Sequence, residues 1–361
     1  MSRFERQPLF VAGDGGYHTY RIPALVPGPG GLLLAFCEGR HESSGDAGRI
    51  DILLRRSADG GRTWDAPRVV VSAPPDTCGN PAPVLDARSG TLLLLFTRNP
   101  GAASEAMVAQ GGAVRSVWVC RSRDGGRTWT SPREITDQVK APSWTWYATG
   151  PCHGIQLRDG RLVVPCDHVR GVHMERARDP GHAHLILSDD GGEHWRTGGC
   201  AAAGTNESVV VETADGELYV NCRSDNGRRC RAVAWSRDRG ASLGPTSWDE
   251  GLPDPICQGS ALRYTLASEH GRDRVLFSNA AATERRERLS VRLSYDECGT
   301  WPVARTLHAG PSAYSDLAVA PDMTVCCLFE AGELRPYETL TLARFDLEWL
   351  TQGADRIDPR P

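Results

Sequence analysis

The sequence is poor in several things a reader looks for first. Among 41 basic residues only Lys140 is a lysine, so no arginine stands out merely for being arginine. Charge of either sign is not in excess: 45 Asp and Glu leave a net charge of −4, which gives no electrostatic reason to expect nucleic acid or an anionic membrane surface as a partner. No apolar run approaches 18 residues, and the opening MSRFERQPLF lacks an apolar stretch of signal-peptide length. The expectation is a chain without membrane insertion, cytoplasmic or at least without a visible export signal. Of the twelve cysteines none forms a C-x-x-C pair, and Cys326 and Cys327 are adjacent. Buried free thiols are therefore expected rather than a disulfide framework. No His, Cys and carboxylate cluster has ligand spacing, so neither a metal nor another cofactor is expected.

What the sequence has is repetition. The pattern S-x-D-x-G-x-T-W occurs intact at Ser57-Asp59-Gly61-Thr63-Trp64 and at Ser122-Asp124-Gly126-Thr128-Trp129. Altered copies follow: Ser188-Asp190-Gly192-Trp195 with His194 for Thr, Ser236-Asp238-Gly240 with Leu243 for Trp, and Ser294-Asp296-Thr300-Trp301 with Cys298 for Gly. Average residue usage gives such a pattern about 10⁻⁴ times by chance in a chain of this length. Each copy ends the third of three apolar segments, as in RIPALV, LLLAF and DILLRRS. A sixth unit, YSDLAVA, TVCCLFE and ETLTLARF, lacks the box. Six units in 361 residues leave about 60 each, enough for a four-stranded meander with one long loop. The expected fold is all-β: a six-bladed β-propeller of four-stranded antiparallel blades, one domain over residues 1–361. The boxes read as turns, with Asp accepting from backbone N–H groups, Gly supplying positive φ and Trp plugging the sheet. Metal binding by these aspartates is the competing reading.

In a meander, the start of strand one, the end of strand two and the start of strand three share one face. The boxes lie at the other. Polar residues at the first face are Arg21, Glu38, Arg40, Asp46, Asn80, Glu207, Arg223, Gln258, Arg286, Tyr314 and Glu330. Each has an ordinary explanation taken singly, such as a solvated arginine, a packed tyrosine or a turn aspartate. In a closed ring, though, they converge on one axis.

Tyr20-Arg21-Ile22-Pro23 together with the spaced boxes resembles the sialidases, bacterial and animal, over residues from about 10 to about 350. The resemblance implies an arginine triad of Arg21, Arg223 and Arg286, an acid/base Asp46, a nucleophile Tyr314 with its base Glu207, and Glu330 holding Arg21. It places Arg40, Asn80 and Gln258 against the sugar and Glu38 among the supporting groups. The implied activity is a retaining exo-α-sialidase acting on sialylated glycoconjugates or oligosaccharides. The residue types fit that chemistry. An anion on the anomeric carbon repels an attacking carboxylate, sialidases use tyrosine instead, and guanidinium forks bind carboxylates in a way that lysine does not reproduce. The same cations are expected to ease ionisation of the phenol. Two other readings are a non-catalytic sugar-binding propeller and an enzyme of the same fold with transfer, anhydro-product or deaminated-sugar preference. The chain departs from the animal enzymes at Val163-Val164-Pro165-Cys166-Asp167-His168, where they carry tyrosines, and at Gly150-Pro151-Cys152. Trp144, Trp146 and Tyr147 are candidates for an aglycone groove, with core packing as the alternative.

Overall fold

The computed structural model describes residues 3–171 and 179–357. Its strands fall into successive antiparallel units, each a meander running outward from an inner strand. The inner strands are Thr19–Pro27, Thr77–Asp86, Trp144–Thr149, Thr205–Glu212, Gly259–Thr265 and the second half of Val303–Val319. Each packs beside the next unit, and the last returns to Thr19–Pro27, so the units close into a β-propeller.

Two joints were not visible as sequence patterns. The 17-residue strand Val303–Val319 serves two units: its first half pairs with Glu287–Ser294 and its second with Val325–Ala331, the change falling at register shifts before Tyr314. The chain's beginning also has a role, since Phe4–Val11 pairs antiparallel with Thr339–Phe345 as the outer strand of the last unit. This ties the first strand to the last and so fastens the closing unit at both ends of the ring. The inner strand of the third unit starts at Trp144 and is broken at Gly150–Gly154 before a short Ile155–Gln156 segment.

The inner strands of the sheets are buried on both faces, whereas outer strands such as Ser247–Pro253 are largely exposed. The apolar clusters lie between neighbouring units: Leu25 and Leu33 meet Leu328 and Leu342, Phe36 and Leu54 meet Leu92 and Leu94, and Leu185 and Leu187 meet Val220 and Leu218. This explains the continuous apolar runs such as Leu92–Phe96, which alternation alone would not predict. All twelve cysteines are free and eleven are buried; Cys200 is exposed. Near the axis one carboxylate ties several units. Asp316 Oδ2 accepts from the N–H of Leu25 at 2.8 Å and of His153 at 3.1 Å, while Oδ1 accepts from Ser260 Oγ and His153 Nδ1, each at 2.7 Å. Cys152, His153 and Asp316 lie within metal-ligand range, a proximity that sequence spacing hid. Asp316's oxygens are already taken by these donors, so the cluster reads as a structural hub.

The repeated box is a self-contained turn. Ser57 Oγ accepts from Gly61 N and donates to Asp59 Oδ1, both at 2.8 Å; Asp59 accepts from Thr63 N and from Thr63 Oγ1 at 2.6 Å. The same bonds recur around Asp124, Asp190, Asp238 and Asp296, with His194 and Ser242 standing in for Thr. The Asp oxygens are filled by the loop itself, which removes the metal-binding alternative. Trp64, Trp129, Trp195, Leu243 and Trp301 each pack against the cluster shared with the preceding unit.

Candidate active site

Register puts the boxes and the predicted site at opposite ends of the sheets. In the first unit Arg21 pairs with Glu38 and that with Ile52, whereas Pro27 pairs with Leu33 and that with Ser57 of the box. Six residues at about 3.3 Å each separate the two ends. At the first end the inner strands are bulged. Ile22 and Asn80 take φ of 57° and 56°, each just before a proline, and the ladder slips at both places. A β-branched residue at positive φ is strained. Bulges re-aim side chains, here those of Arg21 and its neighbours towards the axis.

They open onto a cavity of about 160 Å³ whose wall includes Arg21, Arg40, Asp46, Asn80, Glu207, Arg223, Arg286 and Tyr314. Three guanidinium groups gather on the phenol. Arg223 Nη1 donates to Tyr314 Oη at 3.0 Å and to Glu207 at 2.8 Å, and the Cζ atoms of Arg21 and Arg286 lie 5.4 Å and 5.6 Å from the Tyr314 ring centre. Tyr314 Oη donates to Glu207 Oε1 at 2.5 Å. Burial and then the charge of Glu207 push the phenol well above its ordinary value, against the opposing pull of Arg223 and Arg286. The expected easing of ionisation is therefore outweighed in the free protein: burial penalises the phenolate and Glu207 repels it, so the proton stays on oxygen.

Glu330, fully buried, accepts from Arg21 Nε and Ile22 N, both at 3.0 Å, and from Tyr314 N at 3.1 Å. One carboxylate thus holds the first arginine, its bulge and the backbone of the tyrosine across the closing seam. Glu38 plays a similar part. It accepts from Arg40 Nη2 at 2.6 Å and from Asn80 N at 2.7 Å. Arg40 in turn lies 2.8 Å from Asp46 Oδ1, and Arg21 lies 3.5 Å from it. Burial acts to raise the Asp46 carboxyl, but Arg40 and Arg21 outweigh it and leave the group below the usual range. With 54% of its side chain exposed, Asp46 sits at the mouth.

Arg286 lies on the cavity wall, while its neighbours Arg285 and Arg288 are exposed. Gln258 requires correction. It is 1% exposed, lies off the wall, and spends its amide on Ser315 N at 2.9 Å and Ser315 O at 3.0 Å. It braces the residue beside Tyr314 rather than facing the sugar. The aromatic candidates separate: Trp146 lines the cavity, Tyr147 is fully buried between units, and Trp144 stacks on His168 with ring centres 3.5 Å apart.

Among the residues that the sequence did not assign to the site are Glu105, Arg115, Asp167 and Asn206 on the wall, and Tyr337 behind it. Arg21 lies over the Tyr337 ring at 4.0 Å, and Arg286 donates to its hydroxyl at 3.1 Å. All five obey the meander rule, at strand starts, strand ends or loops of the site face. The rule marked their positions, but no local signal said which side chains turn inward.

Residues 30–327 match the family described as BNR repeat-like domain. The chain is 34% identical to a sialidase of Micromonospora viridifaciens over 96% of its own length, spanning 54% of that relative. It is 32% identical to an exo-alpha-sialidase of Arthroderma benhamiae, covering 96% of this chain and 88% of the other. Among solved structures it is similar to the Hadza microbial sialidase Hz136, with a TM-score of 0.84 at 30% identity over 96% of this chain and 69% of that one.

Proposed function

The chain belongs to the sialidase family of enzymes, and on that premise we propose that it is a retaining exo-α-sialidase that removes terminal sialic acids from glycoconjugates through a covalent tyrosyl intermediate. The observation that carries this reading is the Tyr314 hydroxyl, donating to Glu207 and bonded by Arg223 inside a cluster with Arg21 and Arg286.

The substrate carboxylate enters among the three guanidinium groups, whose N–H forks match its two oxygens. Because the phenol is held protonated, Glu207 removes the proton as Tyr314 Oη attacks the anomeric carbon, so base catalysis replaces a preformed phenolate. Asp46 gives its proton to the departing glycosidic oxygen and later takes one from the water that releases the sugar, with retained configuration. A carboxyl held low by Arg40 and Arg21 is ionised in the free protein at neutral pH and has no proton to give. The incoming carboxylate neutralises part of that field and displaces water, and both changes raise it towards the range an acid catalyst needs.

Incubation with a 3-fluorosialyl fluoride followed by peptide mass mapping tests the proposal. A stable adduct on the peptide containing Tyr314 is the expected result. An adduct elsewhere overturns the nucleophile, and turnover of sialosides without any trapped adduct overturns the covalent route.

A further inference from the structure

The three triad arginines are not anchored alike. Arg21 Nε meets Glu330 at 3.0 Å, and its Nη1 lies 3.5 Å from Asp46. Arg223 Nη1 meets Glu207 at 2.8 Å. Arg286 has no such carboxylate partner among the described residues. Its Nη1 donates to the Tyr337 hydroxyl at 3.1 Å and its Nη2 to the carbonyl of Ile256 at 3.2 Å. A hydroxyl and a carbonyl orient the guanidinium without cancelling its charge, which stays available to an anion. A carboxylate in place of the phenol would orient it too, but would also neutralise it.

Tyr337 serves two of the three arginines at once. Arg21 Cζ lies 4.0 Å from its ring centre, within range of a cation–π contact, while its hydroxyl accepts from Arg286. The spacing between the first and third guanidinium groups therefore runs through one side chain, from ring face to phenolic oxygen. A tyrosine ring, with two side-chain torsions, holds such a spacing more firmly than a long flexible chain. The phenol is not part of the cavity wall; it packs behind it with Ile22, Cys257, Ala313 and Tyr314. Its loop, 332–338, joins Val325–Ala331 to Thr339–Phe345, and the residue after it fixes that loop. The Glu338 carboxylate accepts from the N–H groups of Glu333, Leu334 and Arg335 at 2.9, 3.0 and 2.9 Å. Its carbonyl accepts from Ala12 N at 3.0 Å, just past the first strand.

We propose that Tyr337 is a positioning residue for the grip on the substrate carboxylate, acting through Arg286 by its hydroxyl and through Arg21 by its ring. The proposal rests on the sialidase reading. The carboxylate is present in substrate and transition state alike, so an arginine that drifts from it weakens both, and the loss appears as binding.

The test compares wild type, Tyr337→Phe, Arg286→Ala and the double variant on an aryl sialoside, with inhibition by 2,3-unsaturated sialic acid measured on each. Tyr337→Phe keeps the ring and loses one oxygen. It is expected to raise KM and the inhibition constant about 10-fold, with kcat changed far less. Beside Arg286→Ala the same change is expected to add no loss. A fall in kcat with KM and inhibition unchanged is what a smaller folded fraction gives, and it overturns the proposal, as does an equal loss in both backgrounds. Tyr337→Leu removes the ring as well. Its loss is expected to exceed that of Tyr337→Phe and to persist in part beside Arg286→Ala, because Arg21 is then unsupported; equal losses from the two overturn the ring's role. Should the leucine variant fail to fold, the phenylalanine cycle decides. If the wild type cleaves no sialoside, the enzymatic reading fails by itself, and calorimetric binding of 2,3-unsaturated sialic acid runs the same cycle. No binding to wild type, or identical affinity in Tyr337→Phe, overturns the proposal.

Discussion

The two faces of this ring use the same side chains in opposite ways. At the box face, Asp59, Asp124, Asp190, Asp238 and Asp296 each bond to a serine two residues back and to a backbone N–H four residues on, and the unit repeats. At the cavity face the decisive bonds join distant parts of the chain. Glu330 and Arg21 are 309 positions apart, and Glu207 and Tyr314 are 107. The box carboxylates are exposed or half-buried and locally satisfied, so they shape turns; the cavity carboxylates are held among cations, and Glu207 and Glu330 bond to residues of other units, so their protons and charges are coupled. Chemistry follows from that coupling rather than from residue type.

Substitutions that cut one face and spare the other sharpen this contrast. The largest effect is expected for Tyr314→Phe, which removes the attacking oxygen and should lower sialoside turnover by about 10³-fold or more while the thermal midpoint changes little; near-normal hydrolysis would break the assignment. Next is Asp46→Ala. Removal of an acid catalyst should cost about 10²–10⁴-fold on natural glycosides and far less on activated aryl sialosides, whose leaving groups need little protonation, so equal losses on both would argue against the acid role. Arg21→Lys keeps the charge but loses the fork, its bond to Glu330 and its face over Tyr337. It should raise KM and lower kcat together, and unchanged kinetics would count against a carboxylate clamp.

The smallest effect is expected at the other face. Asp238→Ala leaves the Ser242 N–H and hydroxyl without their acceptor and should cost about 1 kcal/mol of stability with unchanged kcat/KM, read by denaturant unfolding beside a standard assay. The sign of its pH dependence follows from the carboxyl being held at about 2 by Ser242. Below its unfolded value of about 4 the unfolded chain binds more protons than the folded one, so this contribution is complete above that pH and fades as pH falls towards 2. The alanine variant should show a shallower acid limb, and an unchanged limb would remove the box from the account.

The legibility of the two faces differs for the same reason. Each box is a contact within eight residues, so the sequence carries it whole, decayed copies included. The pocket was legible only in part. The meander rule and the YRIP resemblance named Arg21, Asp46, Glu207, Arg223, Arg286 and Tyr314, and the fold brings all six to one cavity. Gln258 obeys the rule yet turns into the core beneath Tyr314. Arg115 and Asp167 obey it and reach the wall without having been singled out. Direction at a strand end depends on bulges such as those at Ile22 and Asn80, and these are set by packing between units.

By itself the sequence determined the strand-rich repeat, the turn that ends each third strand, and the residue types available for gripping an acidic sugar, because all of these depend on neighbours along the chain. Tertiary structure alone decided that the first strand completes the last unit, that Val303–Val319 spans two units, and that a phenol raised by burial donates to Glu207. It also decided that Asp167 lies buried with an unsatisfied oxygen in the cavity wall. Burial and charge coupling are properties of what surrounds an atom in space, and in a closed ring those surroundings come from residues hundreds of positions away.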